Sequence, residues 1–288
     1  MMNQKQENTP LAGLAPVLTT EAGSCLTLAN WQELSINSAS YHLDALLMKP
    51  GLPFLNTLGD LRPYTGWVGT LILNAALEGP NKEGVYTIRS RYDGSFVRIS
   101  SEALFALIIK LQPDWVILPP AFTRATGLAW NSWPKTILPF IASSDSIPFT
   151  AEQNVGRYLP YDKTKTFADF KRQIQQYTGI PLYITGDFDL AQLSELKAST
   201  RLMLESDKPA KDAMIGQVYC AQGSLDLLDK ERAQQHELID PACTCPTCTQ
   251  KFTQAYLHHL LEHTPLLCQR FLIQHNVHYY QSQILNSQ

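Results

Sequence analysis

Three cysteines near the end of the sequence have the spacing of metal ligands. Cys243, Cys245 and Cys248 follow the pattern C-x-C-x-x-C, so one short loop can turn all three thiols toward a single point. A disulfide framework does not suit them, because such close neighbours rarely pair and their number is odd. Zinc accepts four soft or borderline ligands and needs no open position in a structural site. The pattern predicts a structural zinc site that needs one more ligand.

A histidine is the expected fourth ligand. His275 precedes Asn276, where the helical pattern is predicted to break, and a side chain at such a place can fold back toward the loop. His258, His259 and His263 are the alternatives. His258 and His259 are neighbours on a predicted helix, so they point to different faces and only one could reach the ion. Histidines of this kind are more often solvated or packed helix residues than ligands.

The elements that must position these side chains alternate between strands and helices. A β-hairpin is predicted around the Asp93-Gly94 turn, and helices are predicted to begin near Thr27 and Ser100 and to include 167–177 and 190–196. Predicted strands are 14–18, 70–74, 115–118, 137–142, 182–185, 202–205 and 217–220.

This alternation indicates parallel βα units, hence an α/β fold. The sequence contains no glycine-rich phosphate or dinucleotide loop, which favours a barrel over a doubly wound sheet. We therefore predict a polar, disordered tail at 1–10 and one barrel domain over 11–288. The zinc subdomain should occupy about 240–280.

Composition limits the class of protein. The 288 residues are 44% hydrophobic and 17% charged, which is typical of a globular chain with a substantial core. A net charge of −3 argues against a nonspecific nucleic-acid coat. The sequence contains no apolar run near the ~20 residues that span a bilayer, and the N-terminus is not typical of a signal peptide. The other cysteines (Cys25, Cys220 and Cys268) are scattered, so we expect reduced thiols and a cytoplasmic protein.

Several segments resemble tRNA-guanine transglycosylases, in that family's order along the chain. At the zinc-binding end these are the three cysteines, Ala-Tyr-Leu-His-His-Leu at 255–260, His275-Asn276 and Tyr-Tyr-Gln at 279–281. Upstream they are 40–43 with 49–51, Gly-Trp-Val-Gly at 66–69, Arg-Ser-Arg-Tyr-Asp-Gly-Ser at 89–95 and Ile-Asp-Pro at 239–241. The resemblance implies a (β/α)8 barrel, trimmed here because the chain is short. It also implies that Cys243, Cys245, Cys248 and His275 hold the zinc.

The same resemblance implies an activity, the exchange of a guanine in tRNA, whose key residues this sequence lacks. A proton-handling aspartate is expected after the segment 66–69, where Asn74 stands instead. A base-gripping aspartate is expected near Pro120, and proline has no polar side chain. The base-binding turn is represented only by Gly186 and its neighbours. The acid–base and base-pocket positions are therefore substituted.

The family's nucleophile is an aspartate, and Glu205 occupies the best-matching position, with Asp207 as the alternative. Glutamate can act as a nucleophile. Its extra methylene would displace the attacking oxygen, and a misplacement of ~1 Å can cost on the order of a hundredfold in rate. A carboxylate that is merely solvated or caps a helix is the alternative interpretation of Glu205.

Three hypotheses follow. The first is a pseudoenzyme, a degenerate family member that binds tRNA or serves as a partner subunit, as a homodimer or as a heterodimer with an active transglycosylase. It resembles in this the non-catalytic subunit of the eukaryotic queuine tRNA-ribosyltransferase. The second is an active base-exchange enzyme with altered base specificity. The third is a barrel that binds a small molecule and no RNA.

Overall fold

The computed structural model describes residues 13–122, 133–145, 155–196 and 201–285. The predicted tail at 1–10 lies outside these residues. The strands are β1 (Gly13–Ala15), β2 (Ser38–His42), β3 (Thr70–Asn74), β4 (Val85–Arg89), β5 (Phe96–Ser100), β6 (Trp115–Ile117), β7 (Leu138–Ala142), β8 (Gly156–Pro160), β9 (Leu182–Thr185), β10 (Leu202–Glu205), β11 (Gln217–Cys220) and β12 (Gly223–Asp226).

The helices alternate with these strands. They are α1 (Leu28–Glu33), α2 (Leu43–Leu46), α3 (Leu52–Leu55), α4 (Arg62–Thr65), α5 (Ser101–Leu111), α6 (Phe167–Gln175), α7 (Leu190–Glu195), α8 (Lys208–Met214), α9 (Gln254–His263) and α10 (Pro265–Leu285). Two begin as the sequence predicts: the Thr27 and Ser100 hydroxyls accept hydrogen bonds from the backbone N–H groups of Asn30 and Ala103. Within the described part of the chain, none of the helices has the length and apolar character needed to cross a membrane.

One sheet of eight strands forms the framework. Its order is β1-β10-β9-β8-β7-β6-β3-β2. The strands from β2 through β3, β6, β7 and β8 to β9 pair in parallel. Neighbours in the sheet are successive sheet strands of the chain, except that the first strand, β1, lies next to the last, β10; the two end strands, β1 and β2, are also successive. This is the strand order of a (β/α)8 barrel, as predicted.

Two antiparallel hairpins accompany the sheet. β4 pairs with β5, which confirms the hairpin predicted around Asp93-Gly94, and β11 pairs with β12. The chain divides into two compact units. The first comprises Met1–Leu11, Ser38–Thr185 and Arg201–Met203, and the second comprises Ala12–Asn37, Gly186–Thr200 and Leu204–Gln288. The prediction of a single domain over 11–288 stays a prediction.

The core of the first unit contains a packed row of aromatic rings. The Phe140 ring lies between Trp115 and Tyr183, with centroid separations of 5.3 and 5.5 Å. Gly156 lies against the same ring, and a Cβ atom there would be 2.3 Å from Phe140 carbons. Glycine therefore begins β8 because no side chain fits at this point.

The second unit is organised around α10. The face of this helix that includes Leu272, Ile273, Val277 and Tyr280 is buried. The prediction that the helical pattern breaks at Asn276 is wrong, because α10 continues to Leu285. Asn276 is polar but fully buried, and its side chain is satisfied by backbone groups of other elements. The polar interruption marks a tertiary contact and not a helix end.

Candidate metal centre and strand-end positions

The four predicted ligands meet at one place in the second unit. One ligand atom from each of Cys243, Cys245, Cys248 and His275 lies within 4.8 Å of the others. The His275 Nδ1 atom is 3.7 Å from the Cys243 sulfur, 3.5 Å from the Cys245 sulfur and 3.2 Å from the Cys248 sulfur. Cys245 and Cys248 are buried and Cys243 is partly exposed. Of the histidines considered in the sequence, His275 is the one that the structure places in this group.

These separations fit a tetrahedral divalent ion. Bond lengths of about 2.3 Å to sulfur and about 2.0 Å to nitrogen put neighbouring sulfur and nitrogen atoms about 3.5 Å apart. The three observed distances lie around that value. Four protein ligands complete such a coordination sphere, so the residues present fit a closed, structural site.

A second contact fixes which nitrogen of His275 faces the sulfurs. The His275 Nε2 atom is 2.7 Å from the carbonyl oxygen of Tyr219, which can only accept a hydrogen bond. Nε2 therefore carries a proton, and Nδ1 is the nitrogen that faces the cysteines and would bind an ion once deprotonated. Backbone carbonyls commonly orient metal-binding histidines in this way. Because Tyr219 lies on β11, this strand helps to hold the ligand.

Local backbone bonds shape the cysteine loop. The Cys243 N–H donates to the Asp240 carbonyl at 3.2 Å, and the Cys248 N–H donates to the Cys245 sulfur at 3.3 Å. The Thr247 hydroxyl donates to the Phe271 carbonyl of α10 at 2.6 Å. The loop is thereby attached to the helix that provides His275.

The electrostatics of the cluster favour a thiolate. Hydrogen bonds from Cys245 and Cys248 lower the pKa of the Cys243 thiol well below its usual value. The same network raises the pKa of the Cys248 thiol. Burial lowers the pKa of His275, but the sulfurs of Cys243 and Cys245 outweigh burial and raise it to about 10. These four groups compete for protons. A divalent cation would bind them in their deprotonated forms and so replace those protons.

The other histidines lie apart from this cluster, with one exception. His258 is buried, and its Nδ1 donates to the Leu227 carbonyl at 2.7 Å. His259 and His263 are exposed on α9. His278, which sequence reasoning missed, has its Nδ1 3.8 Å from the Cys243 sulfur. Its position three residues after His275 on α10 is the signal that could have identified it.

The substituted positions of the first unit lie at strand ends. Asn74 is the last residue of β3 and is buried. Its Oδ1 accepts a hydrogen bond from the Ala76 N–H at 3.0 Å, so the side chain stabilises the turn that follows the strand. Pro120 follows β6 and is exposed.

The two candidate nucleophiles, Glu205 and Asp207, lie at and just after the end of β10. Glu205 is its last residue and is 4% exposed. Asp207 is 8% exposed, and its carboxylate forms an ion pair with Lys211 at 2.9 Å. The Gly186 N–H lies 3.4 Å from the Glu205 carbonyl oxygen, so the backbone brings these two predicted positions together.

Comparison with known proteins supports the same family. A family model described as Queuine tRNA-ribosyltransferase matches residues 167–286. A protein of that name from Desulfosudis oleivorans is 37% identical over an alignment of 288 positions that covers 84% of this chain and 74% of that protein. Proteins of the same name from Granulibacter bethesdensis and Koribacter versatilis are 24% and 23% identical. Both alignments cover 84% of this chain; the first covers 74% of its protein and the second covers 76%.

The chain therefore belongs to the queuine tRNA-ribosyltransferase family. This confirms the resemblance to tRNA-guanine transglycosylases that the ordered motifs predict.

Proposed function

We propose that this chain is a catalytically degenerate member of its family that binds tRNA or serves as a partner subunit. The observation that carries the proposal is Asn74. An amide cannot take up a proton as a carboxylate does near neutral pH. Its oxygen already accepts the Ala76 N–H, which is a structural role for the side chain. The position that the family resemblance assigns to proton transfer thus has a different use.

Pro120 supports the same proposal. The recognition of a purine base needs donors and acceptors matched to its edge. Proline has neither in its side chain and has no backbone N–H to donate. The preceding residue, Pro119, contributes only a carbonyl, which accepts a hydrogen bond from the Phe122 N–H at 3.2 Å. A purine base that needs a hydrogen bond from an aspartate at the position of Pro120 would have no such partner here.

An active base-exchange enzyme is the second candidate, and Glu205 is the observation that favours it. The carboxylate is buried at the C-terminal end of a parallel strand, where catalytic groups of barrel enzymes lie. Asp207 is the alternative nucleophile, and its carboxylate already forms an ion pair with Lys211.

A guanine-exchange assay on tRNA separates these two candidates. The chain, the variants Glu205→Gln and Asp207→Asn, and an active family member are each incubated with tRNA and labelled guanine. We expect exchange only with the active member, and no covalent tRNA adduct of this chain on a denaturing gel. Exchange or an adduct that Glu205→Gln abolishes and Asp207→Asn retains would establish the second candidate.

Binding of tRNA tests the rest of the proposal. We expect a mobility shift at low salt that weakens as salt rises, because phosphate contacts release counterions. Addition of an active family member should either supershift the complex or raise the rate of exchange. A chain that binds neither tRNA nor an active member would support the third hypothesis, a barrel for an unrelated small molecule.

We also propose that the ion at the Cys243 cluster is zinc. Three thiolates and one imidazole in a closed set favour zinc over magnesium or calcium, which prefer oxygen ligands. Elemental analysis of natively purified protein should give roughly one zinc per chain. None of the six cysteines forms a disulfide, which suits a reducing compartment, and the cytoplasmic location predicted from the sequence stays a prediction.

A further inference from the structure

Helix α9 carries two exposed histidines that the zinc cluster does not use. His259 and His263 are four residues apart, and their ring centroids are 4.4 Å apart with an angle of 52° between the planes. Residues at this spacing lie above one another on the same helix face. The two imidazoles therefore already share one patch of surface, without any change in the backbone.

We propose that His259 and His263 together chelate a borderline divalent cation of the Ni²⁺, Cu²⁺ and Zn²⁺ class. Imidazole nitrogens suit these ions, whereas magnesium and calcium prefer oxygen. His263 is the last residue of α9, and the carbonyl end of a helix favours positive charge. Glu262, half-exposed beside His263, adds a negative charge in the same turn.

The neighbouring histidine is excluded from this site by its contacts. His258 is 5% exposed, and its Nδ1 donates to the Leu227 carbonyl. Its Nε2 lies 3.5 Å from a Glu262 carboxylate oxygen. Both ring nitrogens of His258 are thus directed at protein groups, and the chelating pair consists of the two exposed residues.

The proposed site differs in kind from the cysteine cluster. Among the described residues, the Cys243 cluster is the one group with three or more candidate ligands in mutual reach. Residues 259–263 read His-x-x-Glu-His, a zinc-peptidase pattern, but catalysis by such a site requires a third protein ligand. A two-histidine site instead leaves coordination positions open to water or to a ligand from another molecule. The ion should therefore exchange readily.

Calorimetric titration of the zinc-loaded, full-length protein with Ni²⁺ tests the proposal, with zinc release followed in parallel. We compare the unmodified chain with His259→Gln, His263→Gln and the double variant. His236→Gln is the matched control, because His236 is also exposed but lies on another segment. All substituted side chains are on the surface, and zinc content together with circular dichroism verifies that each variant is folded.

Chelation predicts a distinctive pattern of affinities. Each single variant should lose at least about tenfold in Ni²⁺ affinity, because the remaining histidine no longer has a second ligand at high effective concentration. The double variant should show no binding at this site. His236→Gln should bind as the unmodified chain does. Equal binding by all variants would overturn the proposal. So would two ions per chain with one lost at unchanged affinity in each single variant, as independent histidines would give, or nickel uptake that only matches zinc release.

Discussion

At the scale of single residues, a metal ion at the Cys243 cluster would depend on ligands that cannot replace one another. Cys248 is buried and its sulfur is the closest of the three to His275 Nδ1, at 3.2 Å. Serine has nearly the same shape as cysteine, but its hydroxyl is a poor zinc ligand because it stays protonated near neutral pH.

We expect Cys248→Ser to lower the zinc content from roughly one ion per chain toward none. The free energy of unfolding should fall with it, because metal binding to a folded site stabilises the fold. Elemental analysis and thermal unfolding measure the two effects. Cys25→Ser, a half-buried cysteine outside the cluster, is the control and should change neither. A zinc content that survives Cys248→Ser would remove this residue from the ligand set.

Gly156 offers a second test at the residue scale, in the first unit. A Cβ atom here would overlap the buried Phe140 ring, which is packed between Trp115 and Tyr183. Gly156→Ala should therefore lower the free energy of unfolding by about 1–3 kcal/mol, as overpacked cores do. Urea denaturation provides the measurement. Gly79→Ala has open space around its Cβ and should be close to neutral, so equal effects of the two variants would contradict the packing argument.

The residue types in the sequence indicate the candidate ligands but not the backbone groups that orient them. Cysteine spacing predicts a cluster, and the structure brings the three cysteines together with His275. The helix break at Asn276, on which the choice of His275 rested, does not occur. The Tyr219 carbonyl that orients His275 belongs to the backbone, and no side-chain pattern could indicate it. His278 is not among the candidates predicted from the sequence, because the predicted helix ends at Asn276, whereas the helix of the structure continues through His278.

At the scale of elements, Asn276 connects α10 to β11 and to α8. Its Oδ1 accepts the Tyr219 N–H at 3.0 Å. Its Nδ2 donates to the carbonyls of Pro209 and Gln217 at 3.1 and 2.8 Å. The residue is fully buried, so water cannot replace these bonds if the amide is removed.

We predict that Asn276→Ala lowers the free energy of unfolding by at least about 1–3 kcal/mol, the cost of leaving a buried polar group unpaired. Arg270→Ala is the control on the same helix. It removes an exposed hydrogen bond to Asn30 and should cost well under about 1 kcal/mol. Chemical denaturation of both variants measures the difference. If the two variants were equally stable, Asn276 would not join these elements as the structure indicates.

Elements with a clear apolar pattern were predicted almost to the residue. β3, β9, β10 and β11 have the predicted bounds, because each is a short buried run between turn signals. β2 and β8 were missed. β2 contains buried serines, and β8 contains the buried Arg157, which donates to the Ala142 and Asp145 carbonyls. Polar residues that form hydrogen bonds inside the fold hide a strand from hydrophobic patterning.

At the scale of the whole molecule, the contacts of the metal cluster all belong to the second unit. The cysteine loop, His275 on α10, Tyr219 on β11 and the Asn276 bonds to α8 lie within Leu204–Gln288. The aromatic row around Phe140 belongs to the first unit and makes its own core. Segments with separate cores can open locally with different free energies.

We therefore expect metal removal to affect the two units unequally. After treatment with a zinc chelator, amide hydrogens of β11, α9 and α10 should exchange faster. The ion would then no longer join the cysteine loop, which precedes α9, to His275 on α10, whose Nε2 contacts β11. Amides of β3, β6 and β7 should retain most of their protection. Hydrogen–deuterium exchange followed by peptide mass spectrometry measures both sets in one sample.

Gly156→Ala provides the reciprocal control, because its strain lies in the first unit. It should accelerate exchange in β7 and β8 and leave zinc content and the protection of α10 unchanged. An equal loss of protection in both units after chelation would contradict the independence of the two cores. It would show that residues 11–288 unfold as a single cooperative domain, because then no part of the sheet could stay closed while the cysteine loop opens.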